Sequence, residues 1–350
     1  MHHPLVIISL VVLLVRLGLW LNKRRKATGG VDAPAAGLVP RAELVELGSE
    51  PTDPVARAAL DAAKAGDWRP AAAYLSGGEG DWSTRYARMN PFSELAASDD
   101  GWLRQWRAEQ PYNPVAAQVL TDALVRRAWE IRTAKYASQV TREQAMGFHQ
   151  VLAEAAEASQ TAIQLAPAED PNAWVVQQSI AMGQGWSNER YRALWAEIVA
   201  REPHHFTAHT AALQYWCEKW LGSNELMHGF ADKAIAGAPA GSLMTVLKLR
   251  AYWEQVLRDR SSASALYRSA EYTAAVDAAL ADLAAADPAH PGLVASRGWI
   301  AHALIENGRP AQALELFRGM GREIAGPWTY YGNPAAVFDS ARRKAARASA

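Results

Sequence analysis

The sequence has very little of several things, and each shortage excludes something. It has one cysteine, Cys217, in 350 residues, so no disulfide can form within the chain. It has no charge excess: Lys plus Arg and Asp plus Glu are 36 each. A neutral balance leaves no electrostatic footprint for nucleic acid, and no nucleic-acid partner is expected. Runs rich in Val, Ile and Thr are nearly absent after residue 30, which argues against a sheet. There is no Walker-type phosphate loop, no GxGxxG, no HExxH and no GxSxG elbow. No cofactor is expected. Asp99-Asp100 and Glu169-Asp170 fall at expected helix starts, where carboxylates complement the helix dipole.

What is abundant is alanine, the best helix former, and tryptophan, of which there are fourteen. The expectation is an all-α chain whose large rings fill gaps between helices.

The N-terminus carries the one long apolar run. Leu5 to Leu21 is broken only by Ser9, Arg16 and Gly18, and Lys23, Arg24, Arg25 and Lys26 follow it. Its 17 residues would make a helix ~26 Å long, near the short limit for a bilayer span. Positive charge follows the run instead of preceding it, the reverse of a secretory signal. The positive-inside rule then places the rest of the chain in the cytoplasm. The reading is a single-pass anchor over residues 1–26, held in the cell membrane through residues 5–21. A Gly, Pro and Ala-rich linker follows over 27–51, and a helical domain over 52–350.

That domain has an internal period. Pro167, Pro203 and Pro239 are spaced 36 and 36, and each follows an apolar helical pattern. Between them lie small-residue breaks, Gly183 to Ser187 and Leu221 to Asn224. The unit is helix, turn, helix. In Asp287 to Met320, Ala301, Leu304, Gly308, Ala313 and Phe317 match the small and large positions of a tetratricopeptide repeat. Ala59, Ala62, Gly66, Ala71 and Leu75 repeat that spacing near the start of the domain. The expected fold is a tetratricopeptide-like helical-hairpin solenoid preceded by a single transmembrane helix. Thr141, Ser187 and Ser223, with Asn113, Asp170 and Asn333 before prolines, are the expected helix caps.

Within this frame the segment Ala173 to Glu254 resembles the bacterial family of domain of unknown function 4034. The likeness rests on Lys219-Trp220-Leu221-Gly222-Ser223, on Phe230-Ala231 and on Ala238-Pro239-Ala240-Gly241-Ser242. It implies a repeat-like helical fold and carries no reaction, substrate or catalytic residue.

Candidate chemistry is sparse. His205 and His209 are four apart, close enough on a helix to grip one metal ion; His204 adjoins them. They are read first as structural or solvent-facing. Cys217 is read as a small buried hydrophobe, since a nucleophile needs a base and His228 lies in the next helix. Trp102 with Trp106, and Trp216 with Trp220, share helix faces. They are core by expectation, and partner-binding aromatics if a concave face exposes them. The run Arg342, Arg343, Lys344, Arg347 is read as a solvated basic helix end, with anionic lipid as the other contact it could make.

The function expected is a membrane-anchored, non-catalytic scaffold that binds a protein or peptide through a helical-repeat groove. The alternative is a metal- or thiol-dependent enzyme using His205, His209 or Cys217.

Overall fold

The computed structural model describes residues 33–48, 51, 53–77, 82–132 and 140–350. The expected span over 5–21 and its basic flank lie outside the described residues. Among those described, no helix is long and apolar enough to cross a membrane.

The protein is all-α. In chain order the helices begin with α1 (Pro54–Lys64), α2 (Arg69–Ser76), α3 (Trp82–Ser98), α4 (Gly101–Glu109), α5 (Pro114–Arg132) and α6 (Arg142–Leu165). Next come α7 (Asn172–Gln184), α8 (Asn188–Arg201), α9 (Phe206–Tyr215), α10 (Asn224–Ala236) and α11 (Val246–Arg258). The last are α12 (Ala263–Leu266), α13 (Ala270–Ala285), α14 (Leu293–Glu306), α15 (Ala313–Gly319) and α16 (Pro334–Ser349).

Local chemistry sets the boundaries. Thr141 forms a complete capping box with Gln144 at the start of α6. Ser187, Ser223 and Asn333 accept N–H groups from the first turns of α8, α10 and α16. Pro167, Pro203 and Pro239 each stand just past a helix end, those of α6, α8 and α10.

Two glycines are dictated by contact. A Cβ on Gly222 would lie 1.9 Å from the Trp216 carbonyl oxygen, so the chain turns there only without a side chain. Gly241 has φ +87, and its Cβ would lie 2.5 Å from the Ala285 oxygen. Asp282 ties this second break down, accepting from the Gly241 N–H at 2.6 Å and the Thr245 hydroxyl at 2.8 Å.

Most neighbouring helices pack in sequence order, and alternate helices α3, α5, α7, α9 and α11 touch one another in turn. Among the described residues the core has two main parts, beside a small cluster of Ala117, Ala162 and Ala173. Helix α11 lies between the two main parts, giving Leu247 and Ala251 to the first and Val246, Leu249 and Trp253 to the second. Some contacts reach further along the order: α2 meets α5, α11 meets α14, and α3 meets α9, with the Tyr86 ring against His205 at the start of α9.

Part of the stretch expected as a linker is packed. Ala33 and Leu38 are buried in the second core. Val45–Glu46 (β1) pairs in parallel with Glu323–Ile324 (β2), and Arg318 donates from Nε and Nη2 to the Ala36 carbonyl at 2.9 and 2.8 Å. Ala33 and Leu38 are apolar side chains that the second core can bury, which composition alone does not reveal. The basic end of α16 also departs from expectation. Arg342 is buried and donates to Asp339 at 2.9 Å through Nε, and Arg343 donates to the other Asp339 oxygen at 2.8 Å. Burial pushes the Asp339 carboxyl up, but the bonds from the two arginines outweigh it and hold the group below its usual range.

Candidate functional site

The densest group of candidate residues sits at the start of α9. His205 is fully buried and caps the helix, its Nδ1 accepting the Ala208 N–H at 3.2 Å. That fixes the proton on Nε2, which donates to Asn172 Oδ1 at 3.0 Å. Asn172 in turn donates to the Trp82 carbonyl at 3.2 Å. Its backbone N–H reaches Asp170 Oδ1 at 2.8 Å, and Gln118 donates to Asp170 Oδ2 at 2.8 Å. Burial pushes the Asp170 carboxyl above its usual range, against the hydrogen bonds from Gln118 and Asn172. His205 is thus a strut in a buried polar network joining α9 to the start of α7, to α5 and to Trp82 on α3.

His209, one turn on, faces elsewhere. Its Nδ1 donates to the His205 carbonyl at 3.0 Å, which leaves Nε2 as an acceptor. Burial drives its pKa down to about 4, so the ring is neutral at physiological pH. It forms one wall of a cleft of about 380 Å³ between α8, α9 and α10. Trp195 stands edge-on to it at 5.2 Å from Phe230 and 4.9 Å from His209, centroid to centroid. His204 and the exposed Lys233 lie at the margins, and the His204 Nδ1 is buried without a partner. Apolar walls with a few placed polar groups are the ordinary make-up of a binding cleft.

The spacing of His205 and His209 therefore does not make a metal grip, because each ring is committed to a different neighbour. Among the described residues no group of three or more His, Cys, Asp or Glu could hold a metal ion. Cys217 is 2 % exposed, and burial, then Glu254, raises its thiol to about 11. His228 is engaged with Gln255 at 3.0 Å and stands against Tyr252. The three candidates do not converge on one cavity.

One tryptophan pair stays together and the other parts. Trp106 is stacked on Trp68 at 5.6 Å with planes 5° apart, Trp102 stacks beside it, and both are buried. Trp216 and Trp220 do not share a helix face: α9 ends at Tyr215, and the Gly222 turn folds back on Trp216. Trp216 is buried against Tyr191 and Tyr215. Trp220 is half-buried, edge-on to Trp129 at 5.4 Å and under Arg132. Many of the tryptophans serve one purpose, lying beneath arginines: Arg190 is 3.3 Å from the Trp186 ring centroid and Arg201 is 3.9 Å from that of Trp174.

No site role for Trp195 and Phe230 was legible in the sequence, because they sit on different helices with no shared spacing. The residues that carry the family likeness have structural tasks. Gly222 and Gly241 allow backbone contact, Ser223 caps α10, and Lys219 pairs with the buried Glu254 at 2.8 Å. No protein-family model, no curated protein and no solved structure matches the chain.

Proposed function

We propose that the chain is a scaffold that docks a protein or peptide partner on a tetratricopeptide-like helical array. The observation that carries this reading is the aromatic cleft between three successive helices, with a neutral imidazole acceptor in its wall and Lys233 at its margin. It suits an apolar or aromatic side chain of a partner, the kind of anchor that dominates interface energies. The serial contacts of alternate helices support a repeat array, in which each pair needs its neighbour to bury its apolar face. The resemblance of Ala173 to Glu254 to domain of unknown function 4034 supports the same architecture. The run Leu5 to Leu21 with its basic flank supports a single-pass anchor that keeps the helical domain, and with it the partner, on the cytoplasmic side of the cell membrane.

The test is site-specific photo-cross-linking in the native cell. A benzophenone amino acid replaces Lys233 in the full chain, and Arg107 on α4 serves as the control position. A discrete adduct from position 233 that disappears in the Phe230→Ala background supports a docked partner. Equal adducts from both positions, or an adduct indifferent to Phe230, would dismiss the cleft as the docking site.

A further inference from the structure

Three rings wall the cleft between α8, α9 and α10. Trp195 lies 4.9 Å from His209 and 5.2 Å from Phe230, and His209 lies 6.0 Å from Phe230, centroid to centroid. Within this apolar wall His209 is 3 % exposed and its Nδ1 is spent on the His205 carbonyl at 3.0 Å. Nε2 therefore carries no proton and points away from its own helix. Among the described residues Nε2 has no hydrogen-bond partner, and the atom is not sealed from solvent. Burial keeps the ring neutral, with its pKa lowered to about 4, so Nε2 stays an acceptor at physiological pH.

The charge at the rim has one sign. Lys233 is exposed and makes no ion pair among the described residues, and no Asp or Glu lines the cleft. The carboxylate beside it in sequence, Asp232, is taken by Lys248 at 2.6 Å.

An occupant that fills the cleft strips water from Nε2. An apolar anchor gives nothing back, whereas a ring carrying an N–H or O–H restores the bond, so the wall favours the second kind. We infer that the cleft takes a tryptophan or tyrosine side chain of a partner peptide, its indole N–H or phenol O–H donated to His209 Nε2, with an Asp or Glu beside it paired to Lys233. This rests on the docked partner proposed above and narrows it to one whose anchor carries a donor. The anchor ring packs against Trp195 and Phe230 in the edge-to-face or offset arrangements that aromatic groups prefer. A cleft of about 380 Å³ is near the lower end of the range for ligand pockets, which suits one large side chain. An exposed lysine contributes little, so Lys233 sets orientation and His209 sets the choice of anchor.

The test is calorimetric titration of the full chain in lipid nanodiscs with capped tetrapeptides Gly-X-Asp-Gly. X is tryptophan, tyrosine, or a ring of similar shape without the donor: benzothienylalanine for the first and phenylalanine for the second. The tryptophan or the tyrosine peptide is expected to bind, and its donor-free counterpart to bind about tenfold more weakly. In His209→Phe, which keeps a flat ring in the wall, that difference should vanish. Replacing Asp by Asn in the peptide should weaken binding about threefold in wild type and leave it unchanged in Lys233→Gln. Equal affinity within each peptide pair overturns the inference, as does a difference that survives in His209→Phe, or no binding of any peptide at roughly millimolar concentration. An Asp-to-Asn change without effect overturns the part assigned to Lys233. The comparison within a pair is made on the unaltered chain, so it decides the matter whether or not His209→Phe folds. The photo-cross-link from position 233 judges docking separately: an adduct blocked equally by both members of a pair keeps the docked partner and removes the choice of anchor.

Discussion

Protonation of His209 sets a stability limit on the acid side. The ring is 3 % exposed, its pKa is lowered to about 4 by burial, and the unfolded chain returns it to 6.5. Between these values the unfolded state binds more protons than the native one, so stability falls as the pH falls through that window. It is whole above pH 6.5, and the loss levels off once the native ring also protonates. At 1.36 kcal/mol per pK unit the loss from this single group is about 2 kcal/mol at pH 5 and about 3 kcal/mol at pH 4. His209→Gln keeps a donor for the His205 carbonyl and removes the titration. The assay is urea denaturation of wild type and variant at pH 7.5 and pH 5. Wild type should lose about 2 kcal/mol more than the variant between the two. Parallel losses would refute the reasoning, because a ring that protonates in the native state without penalty is not desolvated. A direct check is the imidazole carbon shift in the folded protein, which should hold its neutral value down to about pH 5.

Other expectations follow from single contacts. Gly222→Ala places a methyl 1.9 Å from the Trp216 oxygen and should cost about 3 kcal/mol or more in chemical denaturation. Asp282→Ala removes the acceptor shared by the Gly241 N–H and the Thr245 hydroxyl and should cost about 1–3 kcal/mol. Cys217, buried with a thiol raised to about 11, should resist a maleimide at pH 7 in the folded protein and react at once in denaturant. Arg318→Ala should expose residues 33–47 to limited proteolysis while leaving the near-ultraviolet tryptophan spectrum of the first core unchanged, since its bonds to Ala36 lie in the second.

What the sequence determined by itself was local. Alanine content, the prolines spaced 36 apart and the caps at Thr141, Ser187 and Ser223 are decided by backbone sterics and hydrogen bonds within a few residues, so helix type and many helix ends could be read directly. Apolar periodicity also marked Trp102 and Trp106 as core before any fold was known. What only the tertiary structure decided was which side chains meet. His205 and His209 have the spacing of metal ligands, yet one caps a helix against Asn172 and the other faces Trp195 and Phe230 from two further helices. Trp216 and Trp220 have the spacing of one helix face, but the Gly222 turn parts them. Arg342 reads as a solvated charge until Asp339 and the packing of α16 bury it. Spacing fixes direction only while the helix lasts, and partners from other helices are set by the packing of distant segments, to which local periodicity is blind.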